Sequence, residues 1–220
     1  MVDEFLSERE QAEQLRLWLR ENWIWLVAGV ALTLGGYYGY RWWEGRVATR
    51  SLEAGERFAA MLDAIAAGKK EEGLKLADAV TGEYAGTPYA DQALLVLARL
   101  DVDNGDLAAA GRRLAAVAEK SKDPDLRVVA RLRLARVQLA EGRYDEALAT
   151  LEAVRTPAVE PRVLELQGDV KYAQGEKAAA LEAWRRAQEA VKADPSVAGE
   201  VDTELLALKI DELVAAGPAE

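Results

Sequence analysis

Carboxylates and guanidinium groups carry most of the chemistry open to this chain. Its 220 residues include no His and no Cys. Without thiols there is no disulfide framework, zinc ribbon, iron–sulfur cluster or thiol nucleophile. Without imidazole the usual general base and the commonest metal ligand are both absent. Serine occurs only as Ser7, Ser51, Ser121 and Ser196, with no His to activate any of them. There is no Gly-Lys-Ser/Thr phosphate loop and no G-x-G-x-x-G following a strand. Carboxylate pairs such as Glu71 and Glu72 are plentiful, but they read as the solvated faces of helices. The net charge of −10 argues against nucleic acid, whose phosphates need a basic surface. The chain is therefore expected to be no enzyme and to need no cofactor and no metal.

The elements holding these side chains are helical. Ala, Leu, Glu and Arg dominate after residue 46, and β-branched runs are scarce. Three segments are self-similar. Leu97–Val117, Leu134–Val154 and Gln167–Ala187 align without gaps at offsets of 37 and 33 residues. Gly105, Gly142 and Gly175 coincide and are expected to end the first helix of each pair, where a positive φ is needed. The small residues Ala98, Ala135 and Gly168, with Ala110, Ala147 and Ala180, let paired helices approach closely. The large residues Leu114, Leu151 and Trp184 fill the gap towards the next pair. Pro124, Pro161 and Pro195 open the following helices. A degenerate fourth copy is predicted around Gly68, Ala77 and Val80. Its first helix would span about 46–67. Val201, Leu205, Leu208 and Leu213 predict a final amphipathic helix that caps the array.

The N-terminal region differs in composition. The 19 residues Asn22–Tyr40 carry no charge. As a helix they would extend about 28 Å, close to the ~30 Å hydrocarbon core of a bilayer. Trp18, Trp23 and Trp25 stand at one end, and Tyr37, Tyr38, Tyr40, Trp42 and Trp43 at the other, as aromatic belts do. The expectation is a short acidic tail (1–21), a transmembrane signal-anchor helix in contact with lipid (22–43) and a helical repeat domain (44–220). A buried core helix and a cleaved signal peptide are the rival readings. Ala31, Gly35 and Gly39, four apart, would form a flat stripe for contact with another membrane helix. Arg9, Arg16 and Arg20 before the stretch, against Arg41, Arg46, Arg50 and Arg57 after it, leave the topology open.

The order small–Gly–aromatic–Ala–large at Ala135, Gly142, Tyr144, Ala147 and Leu151 resembles the tetratricopeptide repeat. The family's first-helix Trp is replaced by Leu94, Arg131 and Leu164, and its first-helix Tyr by Asp101, Gln138 and Lys171. The expected fold is thus all-α: one transmembrane helix, then a tetratricopeptide-like α-solenoid of antiparallel helix pairs with a C-terminal cap. The acidic tail, the stretch ending in Tyr-Arg-Trp-Trp (40–43), LRLARVQLAEG (132–142) and QGEKAAALEAW (174–184) together resemble the ancillary SecYEG translocon subunit family, the YfgM-like proteins. That resemblance implies a bacterial inner-membrane protein, single-pass, with a cytoplasmic N-terminus and a periplasmic array. It also implies partnership with SecYEG and with a membrane-anchored periplasmic chaperone (PpiD-like), in support of newly exported proteins. A cytoplasm-facing adaptor of reversed topology is the alternative. Self-association through Gly35 and Gly39, or through the array, stays open.

In a tetratricopeptide array the first helices of the pairs line the concave side. That register places Leu95, Arg99 and Val102 there, then Leu132, Arg136 and Leu139, then Arg162, Glu165, Asp169 and Tyr172. Arg99 and Arg136 are one repeat apart. Apolar side chains between spaced guanidinium groups would hold an extended or helical segment of a partner and pair with its carboxylates.

Overall fold

The computed structural model of the chain describes residues 8–215. The first seven residues of the acidic tail and the last five of the chain lie outside the described residues. Two compact units meet between Leu52 and Glu53. Among the described residues all regular structure is helical: α1 (Glu8–Ala66), α2 (Lys70–Glu83), α3 (Pro88–Asp103), α4 (Leu107–Lys120), α5 (Pro124–Ala140), α6 (Tyr144–Glu152), α7 (Glu160–Ala173), α8 (Lys177–Ala193) and α9 (Thr203–Ala215), with short 3-10 turns at Pro157–Val159 and Pro195–Glu200.

No helix of the described residues is long and apolar enough to cross a membrane, which overturns the reading of residues 22–43 as a transmembrane helix. Absence of charge does not amount to apolar length. The aliphatic side chains run only from Ile24 to Leu34. Eleven helical residues rise about 16 Å, roughly half of the ~30 Å required. The remainder of the stretch is Asn22, glycines, and Trp and Tyr rings with polar edges. In α1 the large apolar and aromatic side chains are exposed, from Trp18 to Trp43. Thr33 donates its hydroxyl to the carbonyl of Gly29 at 2.8 Å, and the Arg46 guanidinium stands over the Trp42 ring at 5.0 Å. Nothing lies within 4 Å of a Cβ built on Gly35 or Gly39, so no described side chain packs on the expected small-residue stripe.

In the second unit, the helix pairs follow one local rule. Each of the loops joining α1–α2, α3–α4, α5–α6 and α7–α8 has three residues and a central Gly of positive φ, between 73° and 82°. At each, the Gly N–H donates three residues back. The next N–H donates five residues back: Lys69 to Ala64, Asp106 to Asp101, Arg143 to Gln138 and Glu176 to Lys171, at 2.8–2.9 Å. This double bond pattern satisfies the last helical carbonyls and reverses the chain. It recurs at Gly68, so the degenerate first copy is a genuine pair formed by the end of α1 with α2.

Starts of the first helices are fixed by proline and by caps. Pro88 follows Thr87, whose Oγ1 accepts from the Ala90 N–H, and Pro124 follows Asp123, whose carboxylate accepts from Asp125 and Leu126. Pro195 departs from the expectation: it opens a 3-10 turn, and α9 begins only at Thr203. The cap buries Val201 and Leu213 as expected, but the residues between them stand in another phase. Leu206, Ile210 and Leu213 are buried, whereas Leu205 and Leu208 are exposed. Asp202 sets this phase, because its carboxylate accepts from the Leu205 N–H at 3.0 Å. Val201 just before it then packs with Leu206 as a hydrophobic staple.

Three apolar clusters fill the array from α3 onwards: Leu95, Ala98, Leu114 and Val137; then Ala135, Leu151, Leu166 and Val170; then Leu164, Trp184, Leu206 and Ile210. The positions where the family's Tyr is missing carry polar cross-braces. Asp101 accepts from Arg113 Nε at 2.7 Å, and buried Gln138 accepts from Thr150 Oγ1 at 2.8 Å. Both braces join residues twelve apart, first helix to second.

Candidate binding face on the first helices

The first helices carry the charged residues singled out above. Leu95, Arg99, Val102 and Arg136 come together around one open cavity of about 370 Å³ between α3 and α5, with Arg133, Val137, Leu107 and Leu114 completing its walls. Leu95 is buried and forms part of the floor, while Val102 is exposed. Leu139 and Tyr172 come together around a second cavity of about 400 Å³, bounded by α5, α7, α8 and α9. Leu132 and Arg162 line neither. Leu132 packs on the cluster between α5 and α7, and Arg162 donates to Glu165 at 2.8 Å.

The electrostatics of the two cavities differ. Every charged residue lining the first is an arginine. Arg99 is held by Asp103 one helical turn on, at 2.9 Å. Arg136 makes no ion pair with any described residue. The surrounding protein desolvates its guanidinium and lowers its pKa from the ordinary value, an effect that Arg162 reinforces and the charges of Glu165 and Asp169 oppose. Arg136 is thus a cation that still reaches solvent but lacks a close counter-ion.

The second cavity is compensated from within. Glu165 is only 3% exposed and is gripped from both sides, by Arg162 and by Lys209 of α9, whose ammonium lies 3.1 Å away. Lys209 also donates to Asp169 at 2.7 Å. The Trp184 indole N–H donates to Asp169 at 3.1 Å and to the Glu165 carbonyl at 3.2 Å. Burial raises the Asp169 pKa above 3.8, against the pull of Lys209 and with a push from the Glu165 charge. Tyr172, half exposed, sets its ring 5.7 Å from that of Trp184.

Sequence reasoning did not assign Arg133, Trp184, Lys209, Glu212 and Leu213 to this face. Arg133 is one turn from Arg136 and was within reach of the repeat register. Lys209 had no such signal, since it meets Glu165 from 44 residues away. Among the described residues no group of three or more carboxylates is placed to hold a metal ion.

Comparison with known proteins agrees with this architecture. The family pattern of the Tetratricopeptide repeat-like domain matches residues 16–215. An ancillary SecYEG translocon subunit of Haemophilus influenzae is 30% identical over 186 residues, covering 84% of this chain and 90% of that protein. The protein of the same name from Escherichia coli is 30% identical over 207 residues, covering 94% of this chain and 97% of its own length. The one from Neisseria gonorrhoeae is 29% identical over 210 residues, covering 94% and 98%. No solved structure matches the chain significantly.

Proposed function

Since the chain belongs to the ancillary SecYEG translocon subunit family and carries its tetratricopeptide repeat-like domain, we propose that it is a non-catalytic binding scaffold that works beside the SecYEG translocon. The array binds segments of partner proteins on the face of α3, α5 and α7. The observation that carries this reading is the cavity between α3 and α5: an apolar floor lined by three arginines and no carboxylate, with Arg133 and Arg136 outside any ion pair among the described residues. A guanidinium without a close counter-ion is available to take a partner's carboxylate through two parallel hydrogen bonds. The partners are the channel, a membrane-anchored periplasmic chaperone, and the newly exported chains passed between them. The array works on the periplasmic side, and association with the inner membrane comes through binding to the channel.

The test is photo-crosslinking in cells from Val102 and Tyr172 of the full chain. Translocon subunits, a periplasmic chaperone or exported chains are the expected captures. Arg99→Glu with Arg136→Glu is expected to reduce capture while leaving the circular dichroism melt unchanged. Capture that survives both substitutions at full yield would refute the binding face. Alkaline phosphatase fused after Glu220 reports the side of the membrane, being active only if exported.

A further inference from the structure

We propose that the two cavities read one bipartite segment of a partner, a pair of acidic residues against Arg133 and Arg136 and a large apolar side chain about three residues away in the cavity beside Trp184. The inference rests on the binding face proposed above and names what that face selects.

The first half follows from charge. Arg99, Arg133 and Arg136 line the α3–α5 cavity and no carboxylate does. Arg99 pairs with Asp103 one turn on, in an exposed contact, whereas Arg133 and Arg136 have no ion-pair partner among the described residues. A planar guanidinium binds a carboxylate with two parallel hydrogen bonds, so two arginines fit two acids.

The second half follows from compensation. Asp169, Glu212, Lys177 and Lys209 around the second cavity are two of each sign, and Lys209 is spent on Glu165 and Asp169. That cavity therefore exerts little net pull on a charge. Its remaining walls are Leu139, Tyr172, Trp184 and Leu213, which favour an apolar or aromatic side chain. Aromatic walls around a concave site are typical of anchor pockets.

The spacing follows from α5, which both cavities share. Arg136 lines the first and Leu139, three residues on, lines the second. A ligand passing from one to the other crosses a single helix about 10 Å wide. Extended chain covers that distance in roughly three residues at ~3.3 Å each.

The experiment uses the full chain and fluorescein-labelled Gly/Ser peptides that carry two adjacent Glu and one Phe. In one set Phe follows or precedes the acids by three positions; in another it stands eight positions away; in a third Lys replaces Glu. Fluorescence anisotropy is expected to show the three-position peptide binding about tenfold or more tighter than the other two sets. Arg133→Glu with Arg136→Glu should abolish that advantage and favour the Lys peptide. Tyr172→Ala should weaken the three-position Glu peptide and leave the eight-position peptide nearly unchanged. Equal binding of Glu and Lys peptides, or no effect of spacing, overturns the inference. So does self-association of the chain that is lost in the Arg133/Arg136 variant, because the occupant would then be a second copy. If crosslinking in cells falls in that variant while peptide spacing has no effect, the binding face stands and the bipartite reading alone fails.

Discussion

Gly168→Ala should destabilise the array, although the same change in an ordinary helix stabilises it. The reason lies in a pairing of sizes between first and second helices. Ala98 packs in one cluster with Leu114, and Ala135 in one with Leu151. In the third repeat the large partner is Trp184, and the small one has shrunk to Gly168. A Cβ built on Gly168 falls deep inside van der Waals distance of Trp184 Cδ1 and Nε1 and 3.0 Å from Cγ. The ring must retreat by about 1 Å or more to regain a ~3.5–4.0 Å contact. Overpacking of this kind costs about 1–3 kcal/mol. Retreat also pulls the indole N–H from Asp169 and the Glu165 carbonyl, and a buried donor left unpaired costs about 1–3 kcal/mol. The gain in helix propensity returns about 1 kcal/mol. The net loss is about 3 kcal/mol.

Trp184→Leu alone leaves a cavity and should cost about 2–3 kcal/mol. The double variant recreates the Ala–Leu pairing of the other repeats. Its cost should be only about 2 kcal/mol, a coupling of roughly 3 kcal/mol between the two sites. Urea unfolding of the full chain, read by circular dichroism, measures all three variants, and amide exchange over α7 and α8 localises the effect. Gly111→Ala is the control, since its Cβ would meet only Val137 Cγ1 at an ordinary 3.7 Å; it should stabilise by about 0.5–1 kcal/mol. If Gly168→Ala stabilises as Gly111→Ala does, or if the two third-repeat changes add to within about 0.5 kcal/mol, the size-pairing argument is wrong.

Lys209→Ala removes the link between α9 and the buried pair Glu165 and Asp169; with Arg162 still holding Glu165, the loss should be about 2–4 kcal/mol, seen as faster amide exchange across α9. Asp169→Asn tests the raised pKa. The folded chain holds the Asp169 proton more tightly than the unfolded chain does, so wild-type stability relative to the Asn variant should fall as pH rises from 3.8 to the raised value, then level off. Parallel melts across acidic pH check the sign, and a difference that grows with pH would refute it. Gly142→Ala forces a side chain into φ 73° and should cost about 1 kcal/mol by urea unfolding, with no change in peptide binding.

The rhythm of the array was legible in the residues because it is set locally. A Gly that must take positive φ, two backbone bonds around it, and a Pro or Asp at the next start are decided within a few neighbours. This is why Gly68, Gly105, Gly142 and Gly175 mark four reversals although the side chains around them differ. Family membership was legible too, since the order of many such signals is narrow even where each is common.

Other features needed the assembled chain. An uncharged run shows what a helix lacks and not how much aliphatic surface it has, so Asn22–Tyr40 suggested a span that α1 does not provide. The phase of α9 depended on one cap at Asp202, which turned Leu206 and Ile210 inward and left Leu205 and Leu208 outside. Which guanidinium groups remain available depended on distance. The tie of Arg99 to Asp103 is a helical neighbour effect, whereas the neutralisation of Glu165 and Asp169 needs a lysine forty or more residues away. Backbone reversals are governed by torsion angles that each residue carries with it. Charge compensation and packing volume exist only between side chains that folding brings together.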